Sequence, residues 1–264
     1  MIASQIQDGL VLTKRSLLRI PRVPETLMFA TIQPILFVFL FAYVFGGAVP
    51  IPGGGDYKEF LLPGIFVQTV SFATATTAVG LAEDMSKGLV DRFRSLPIAR
   101  SAVLVGRTTA DLVLNVFIMF VMTICGLLVG WRVHTDAAHV AEAYVLIALL
   151  SLAMSWIGAL IGMSVRSPEV ASSAGIIWLF PVTFVSNAFV PTQHMPGWLR
   201  VIAEWNPVSS FCAAARDLFG NPNPFLGDSL PGRHPVAVSW AWLVVLFVVF
   251  VPLAVRRYRL ATSR

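Results

Sequence analysis

The side chains best suited to chemistry in this 264-residue chain are few, and their spacing matches no catalytic or metal-binding pattern. The histidines fall outside the apolar segments and show neither HExxH nor CxxC spacing, the patterns typical of zinc sites. They are His134, His139, His194 and His234. Cys125 and Cys212 lie in different segments and in no nucleophile motif, so a disulfide between them is not expected. We interpret the histidines as solvated loop residues and predict no catalytic residue and no metal site.

Nucleotide binding by this chain is not expected either. A loop that cradles the phosphates of ATP needs Gly-Lys followed by Ser or Thr. The three lysines instead follow Thr13, Tyr57 and Ser86. We therefore predict that the chain is not an enzyme and holds no cofactor, and that any ATP and Mg used with it bind to a separate protein.

The apolar segments carry neutral polar side chains rather than central charges. Ion-coupled pumps generally keep ionisable groups deep in the bilayer, because a buried charge is retained only where it has a function. The nearest such group, Asp111, lies one helical turn from Arg107 and can pair with it. The second segment is richest in polar groups, with Gln68, Ser71 and the threonines of residues 74–77. These groups bond neighbouring helices or line a weakly polar path, and both interpretations stay open.

The elements that carry these residues are predicted to be membrane-spanning helices. Hydrophobic residues make up 56% of the chain and charged residues 12%, with a mean hydropathy of +0.77. A span needs roughly 20 apolar residues to cross a hydrocarbon core of about 30 Å. Six windows meet this requirement, at 27–48, 60–81, 108–130, 143–165, 170–190 and 238–255. The sequence thus predicts an all-α integral membrane protein with six transmembrane helices in one domain, 1–264.

Two local patterns within these windows predict how the helices pack. Residues 166–169 read Arg-Ser-Pro-Glu and form a tight turn, which makes the fourth and fifth spans a hairpin. Glycines four residues apart mark close helix contacts. Such pairs are Gly126 with Gly130 and Gly158 with Gly162.

The basic residues predict the orientation in the membrane. Of the 19 lysines and arginines, 14 fall on the side that holds both termini, and five fall on the opposite side. Cytoplasmic loops are enriched in such residues. We therefore predict a multi-pass protein of the cytoplasmic (plasma) membrane with both termini in the cytoplasm, and its charge requires no nucleic acid partner.

The first 24 residues are predicted to form an interfacial helix under the inner leaflet. Apolar residues recur there at helical spacing beside basic ones, and prolines separate the segment from the first span. The first span is too long for the apolar region of a cleavable signal peptide. The interfacial helix is either a lever joined to the first span or a simple topological anchor.

Residues 82–107 form the only sizeable charged island between the apolar windows. Met85, Leu89, Phe93 and Leu96 share one helical face, and Pro97 ends the pattern. We interpret this as a surface helix that offers apolar knobs to a soluble partner, with Asp91 and Arg92 or Arg94 giving polar register. The alternative is a helix lying in the headgroup layer.

The outer segment 191–237 is predicted to contain two short amphipathic helices. Trp198 and Trp205 share one face of the first, and Asn206 with Pro207 caps and starts the second. The second helix is expected to end at Gly220. These helices either lie at the outer interface, where tryptophan is favoured, or dip back as a re-entrant hairpin.

The whole pattern resembles the membrane subunits of type 2 ATP-binding-cassette (ABC) exporters, in particular the daunorubicin/doxorubicin-resistance permease group. The resemblance rests on the order and spacing of three stretches around the spans. They are GLVDRFRSLPIARSAVLVGR at 88–107, RSPEVASSAGIIWLFPVTFVSNAFVP at 166–191 and MPGWLRVIAEWNPVSSFCAAARDLFG at 195–220.

The resemblance implies a role for each unusual segment. The 82–107 segment becomes the cytoplasmic coupling helix that docks on a separately encoded ATPase, with two ATPase copies serving two permease copies in a homo- or heterodimer. The cargo becomes a hydrophobic antibiotic, another drug, a lipid or a lipid-linked glycan. The alternatives are a self-contained secondary transporter, which normally shows internal repeats, and a membrane enzyme.

The resemblance also implies where cargo moves. The route lies between the two permease copies and is lined by the second and fifth spans, with six candidate contacts. These are Gln68, Phe72, Thr76, Phe180, Phe184 and Asn187. Independently of the resemblance, we predict that the outer helices form a lid bearing Trp198 and Trp205, with its hinge at Asn206 and Pro207. Arg216 is predicted to pair with Glu204 or Asp217 and hold the resting state. The alternative is a static plug.

Overall fold

A computed structural model describes residues 24–46, 51, 54–87, 100–192, 195–224 and 229–261. Within these ranges the protein consists of nine helices and contains no strand. The helices are α1 Pro24–Val44, α2 Tyr57–Ser86, α3 Arg100–Val129, α4 Ala137–Gly162, α5 Pro168–Phe184, α6 Gly197–Trp205, α7 Pro207–Phe219, α8 Leu230–Arg233 and α9 Pro235–Ala261. The predicted all-α class is confirmed, whereas the N-terminal interfacial helix falls largely on residues 1–23, outside the described ranges.

Each predicted window overlaps one long helix. Among the described residues, α2, α3, α4 and α9 are long and apolar enough to cross a membrane. In α1 the apolar part that meets the composition test is the shorter stretch Thr31–Val44, and α5 has 17 residues. The chain is thus a multi-pass membrane protein, and six spans with cytoplasmic termini stay a prediction.

The helix boundaries follow from identifiable caps. Ser167 caps α5 by accepting a hydrogen bond from the Val170 amide at 3.4 Å, and Pro168 occupies the first helical position. This confirms the tight turn at 166–169. Helices α4 and α5 contact each other after this turn, although both pack mainly on α2.

The central position of α2 depends on glycines in its neighbours. A Cβ added at Gly158 or Gly162 of α4 would collide with a main-chain carbonyl of α2, that of Thr74 or Ala78. The predicted close contact at this pair is confirmed. For the other pair the prediction is wrong at Gly130, where an added Cβ would meet nothing within 4 Å and where φ is +109° as α3 ends.

A partly buried polar cluster joins the C-terminal end of α2 to the N-terminal end of α3. Arg107 Nε lies 3.3 Å from Asp111 Oδ2, and Arg107 Nη1 lies 3.8 Å from Asp84 Oδ2. Thr77 donates a hydrogen bond to Asp111 at 2.8 Å. The predicted Arg107–Asp111 pair is therefore confirmed. Thr74 and Thr76 bond to carbonyls of their own helix, so Thr77 is the member of the threonine run that bridges to a neighbour.

Candidate functional site

The predicted docking segment lies almost wholly outside the described residues. Helix α2 extends through Ser86 and α3 begins at Arg100. Met85 lies in the last turn of α2, half-buried against an inner cluster that includes Leu81 and Trp156. It therefore belongs to the long second helix rather than to a separate surface helix. The remaining predicted docking residues are outside the described ranges, and their role stays a prediction. They are Leu89, Asp91, Arg92, Phe93, Arg94 and Leu96.

An aromatic row connects α2 and α5 at the predicted cargo route. The rings of Phe72 and Phe180 meet edge to face at 6.4 Å, and Phe180 stacks on Phe184 at 4.7 Å. Phe180 and Phe184 are 51% and 52% exposed. Their exposed faces, with no charged neighbour in the row, are suited to contact with a large apolar molecule.

The other three predicted path residues have different environments. Thr76 is exposed, whereas Gln68 and Asn187 are buried in the interior of the chain. Asn187 packs against α7, where its main-chain amide donates to Ser209 Oγ at 3.1 Å. The structure therefore brings Phe72, Phe180 and Phe184 together and does not present Gln68 or Asn187 on the same surface.

Helix α6 presents one apolar face outward. Trp198 and Trp205 are 69% and 52% exposed, and Val201 and Ile202 between them are exposed as well. These four residues fall within about 100° of one another around a helix of 3.6 residues per turn. On the opposite side, Arg200 Nε lies 2.8 Å from Glu204 Oε1. The predicted aromatic stripe is present on α6.

The junction between α6 and α7 is bound to the end of α5. Asn206 Nδ2 donates to the Val182 carbonyl at 2.6 Å, and Asn206 Oδ1 accepts from the Val208 amide at 2.9 Å. The predicted cap by Asn206 and the start at Pro207 are confirmed. The predicted hinge is thus hydrogen-bonded to the end of α5 in this structure, and its movement stays a prediction.

Helix α7 is buried rather than amphipathic. Every residue from Val208 to Phe219 except Asp217 is buried, with α2, α4 and α9 as the main neighbours. Its far end meets the α3–α4 connection, where the His134 amide donates to the Phe219 carbonyl at 2.9 Å. Gly220 then ends the helix with a φ of +68°, as predicted.

Arg216 of α7 departs most from the prediction. Its side chain is 0% exposed and forms no ion pair with any described residue. Arg216 Nε donates to the Phe60 carbonyl at 2.8 Å, and Nη2 donates to the Asn187 carbonyl at 2.8 Å. The predicted pairing with Glu204 or Asp217 is therefore wrong, because Glu204 pairs with Arg200 and Arg216 points into the interior.

The bonds of Arg216 compensate for an early end of α5. The helix ends at Phe184, although the apolar window continues to 190. Ser186 Oγ donates to the Thr183 carbonyl at 2.5 Å and accepts from the Ala188 amide at 3.2 Å. Such local side-chain bonds compete with helix continuation. We call residues 185–191 the α5 break; the predicted outer end of this span is wrong.

Two of the histidines form pairs with acidic residues. His134 Nε2 lies 2.8 Å from Glu59 Oε1 at the start of α2. His139 lies in the first turn of α4 rather than in a loop, and its hydrogen bond lowers the pKa of Asp136, which precedes that helix. Both pairs are exposed and join loop to helix, which favours a structural role.

Comparison with known proteins assigns the chain to a family. Residues 8–219, which contain α1 to α7, match the ABC-2 type transporter family. The chain belongs to that family. Over 251 residues it is 33% identical to a daunorubicin resistance ABC transporter permease protein of Streptomyces coeruleorubidus, which covers 93% of this chain and 83% of the relative.

Two further relatives of this ABC-2 family member carry related descriptions. A probable doxorubicin resistance ABC transporter permease protein of Mycobacterium tuberculosis is 24% identical over 258 residues, 97% of this chain and 90% of the relative. A putative transport permease of Cyanophora paradoxa is 23% identical over 249 residues, 93% of this chain and 85% of the relative. The expected resemblance to ABC drug-resistance permeases is thereby confirmed.

Proposed function

We propose that this ABC-2 chain is the permease subunit of an ATP-driven exporter that moves a hydrophobic or amphipathic molecule outward across the cytoplasmic membrane. The match across α1 to α7 and the names of the resistance permeases support this function. The aromatic row of half-buried Phe72 with exposed Phe180 and Phe184 is the structural observation that carries it, because it suits a large apolar drug, antibiotic or lipid-like cargo.

ATP hydrolysis is assigned to a separate partner. Two ATPase subunits bind ATP and Mg, and they dock on segment 82–107 of two permease copies. The polar cluster of Arg107, Asp84 and Asp111 supports this assignment, because it joins α2 to α3 where the docking segment leaves one helix and enters the other. Movement of the docking segment is thereby transmitted to both α2 and α3.

Reconstitution tests the transport activity. The permease and its ATPase in proteoliposomes are expected to move doxorubicin, used as a fluorescent probe, only when ATP is supplied. Doxorubicin movement that follows an ion gradient without ATP would instead identify a secondary transporter. ATP-dependent movement of a lipid-linked glycan but not of doxorubicin would identify the glycan alternative.

Docking is tested by one substitution. We expect Phe93→Asp to abolish co-purification with the ATPase and cargo-stimulated ATP hydrolysis, since a charge in a buried hot spot costs at least about 2 kcal/mol. Phe45→Asp makes the same chemical change just beyond α1, on the opposite side of the membrane, and should leave assembly intact. Survival of both activities in Phe93→Asp would contradict the docking assignment.

A further inference from the structure

Arg216 is a buried charge held by neutral groups. Main-chain carbonyls accept its hydrogen bonds, those of Asn187 and Ala188 at 2.8 and 3.2 Å from Nη2 and that of Phe60 at 2.8 Å from Nε. The guanidinium also lies 3.7 Å from the centre of the Phe60 ring. One side chain of α7 therefore joins the first turn of α2 to the α5 break.

The α5 break explains why donors are required at this position. Where the chain leaves the helix, its carbonyls lose their helical partners, and irregular backbone within a membrane protein must be satisfied by protein groups. Tyr57 donates to the Phe189 carbonyl at 3.1 Å, and Asn206 donates to the Val182 carbonyl. Arg216 differs from both because its planar fork reaches two elements at once.

The same cluster is only partly satisfied. Arg216 Nη1 and the side-chain Oδ1 and Nδ2 atoms of Asn187 are buried without a hydrogen-bond partner among the described residues. A buried charge and a buried amide without partners are costly, and each such group in a native structure requires an explanation. An arrangement that provided partners for them would offset the loss of the bonds seen here.

We propose that Arg216 is a positioning residue for transport, which holds the first turn of α2 and the α5 break against α7 and maintains the resting arrangement of the outer end. The transport role rests on the proposed exporter function. During transport the bonds of Arg216 are released and the outer end rearranges. Helix α7 then becomes accessible, because it separates from the α5 break.

Cys212 provides a native reporter for this rearrangement. It is 0% exposed and lies one helical turn before Arg216 on α7. With Cys125→Ser it is the single cysteine of the chain. A membrane-impermeant maleimide should label it slowly in the permease alone, in nanodiscs. We expect Arg216→Gln to raise the labelling rate at least about tenfold, as the loss of hydrogen bonds from a charged group implies.

Two further variants make the result specific. Arg216→Lys keeps the charge but not the fork, so its labelling rate should fall between those of the intact chain and Arg216→Gln. Arg200→Gln removes the part-buried Arg200–Glu204 pair of α6, which shares no bond with Arg216, and should leave the rate unchanged. If Arg216→Gln does not fold, Arg216→Lys alone decides. Labelling of Cys212 in Arg216→Lys as slow as in the intact chain would overturn the positioning role of Arg216.

Labelling in the complete complex separates positioning from mere structural support. With the ATPase and ATP, Cys212 in the otherwise intact chain should become accessible during the cycle, whereas in Arg216→Gln it is accessible throughout. Equal labelling of Cys212 in the intact chain and in Arg216→Gln, both without the ATPase, would refute the role of Arg216 whatever the chain transports. Increased labelling in Arg216→Gln without ATP-dependent doxorubicin transport by the intact complex would support the positioning role of Arg216 and contradict the proposed exporter function.

Discussion

Single atoms decide how closely the helices approach α2. Gly158 and Gly162 place the backbone of α4 against carbonyls of α2, and Gly64 of α2 does the same for the α5 break at Ala188. The absence of a Cβ at these positions lets main chains meet where any other residue would force them apart. Glycine therefore sets the spacing around the central helix.

Gly158→Ala is expected to destabilise the permease. The added Cβ meets the Thr74 carbonyl, which belongs to a main chain and cannot move aside, so overpacking should cost about 1–3 kcal/mol. Gly197→Ala is the matched control, because nothing lies within 4 Å of its Cβ position. Thermal unfolding in detergent measures both. An unchanged melting temperature in Gly158→Ala would show that α4 separates from α2 easily.

Two residues with local effects were predicted correctly from the sequence. Asn206 caps α7 and Arg107 pairs with Asp111 because each acts within one turn of its own position. Arg216 escaped prediction because its acceptors lie 156 and 29 residues away along the chain. Its helical spacing could suggest a neighbouring carboxylate, but not carbonyls of an unrecognised break.

Among the elements, α6 and α7 have similar sequence patterns and different environments. Both carry apolar residues at helical spacing, yet α6 exposes its stripe and α7 is buried on nearly all sides. The alanines of residues 213–215 allow α7 to fit between α2, α4 and α9, whereas α6 carries large side chains on one face. Amphipathic spacing alone does not distinguish these outcomes. It identifies the apolar face of a helix but does not show whether the remaining side chains are small enough to be buried.

Helix α6 is expected to lie in the outer interface with its stripe toward lipid. Brominated phospholipids should quench the fluorescence of Trp198 and Trp205. The contribution of each tryptophan is the difference in fluorescence between the intact chain and the Trp198→Phe or Trp205→Phe variant. Trp131 is 0% exposed and serves as the unquenched reference. Trp198 and Trp205 that are quenched no more than Trp131 would indicate that protein covers this face.

A crosslink distinguishes a lid from a static plug. An engineered disulfide between α6 and the last turn of α5 should abolish export on oxidation and restore it on reduction if the outer helices move. The Asn206 bonds to Val182 and Val185 make this the place where the two elements are already in contact. Full export with the crosslink complete would support the plug.

At the scale of the whole molecule, exposure is distributed unevenly. The α5 face bearing Ile177, Phe180 and Phe184 is exposed in a single chain, as is Val248 on α9. Composition predicted the membrane class, since no soluble core hides so much apolar surface. It could not tell lipid-facing from partner-facing residues, because both are apolar.

Cysteine labelling separates these two kinds of surface. In a chain lacking its native cysteines, Phe184→Cys should react with a membrane-impermeant thiol reagent in a transport-dependent manner, because we place it beside a route between two permease copies. Val248 is 67% exposed. The Val248→Cys side chain should face lipid, where the reagent does not reach it. Uniform protection of Phe184→Cys through the cycle would identify Phe184 as a packing residue.

The short length of α5 links the permease to the thickness of its bilayer. Its 17 residues form a helix about 25 Å long, less than the hydrocarbon depth of about 30 Å. A helix that stops early is matched by local thinning of the lipid beside it. Because the α5 break and α6 follow at this point, the thinning should be concentrated in the outer leaflet. Acyl chain length should therefore tune the export rate without any change in the protein.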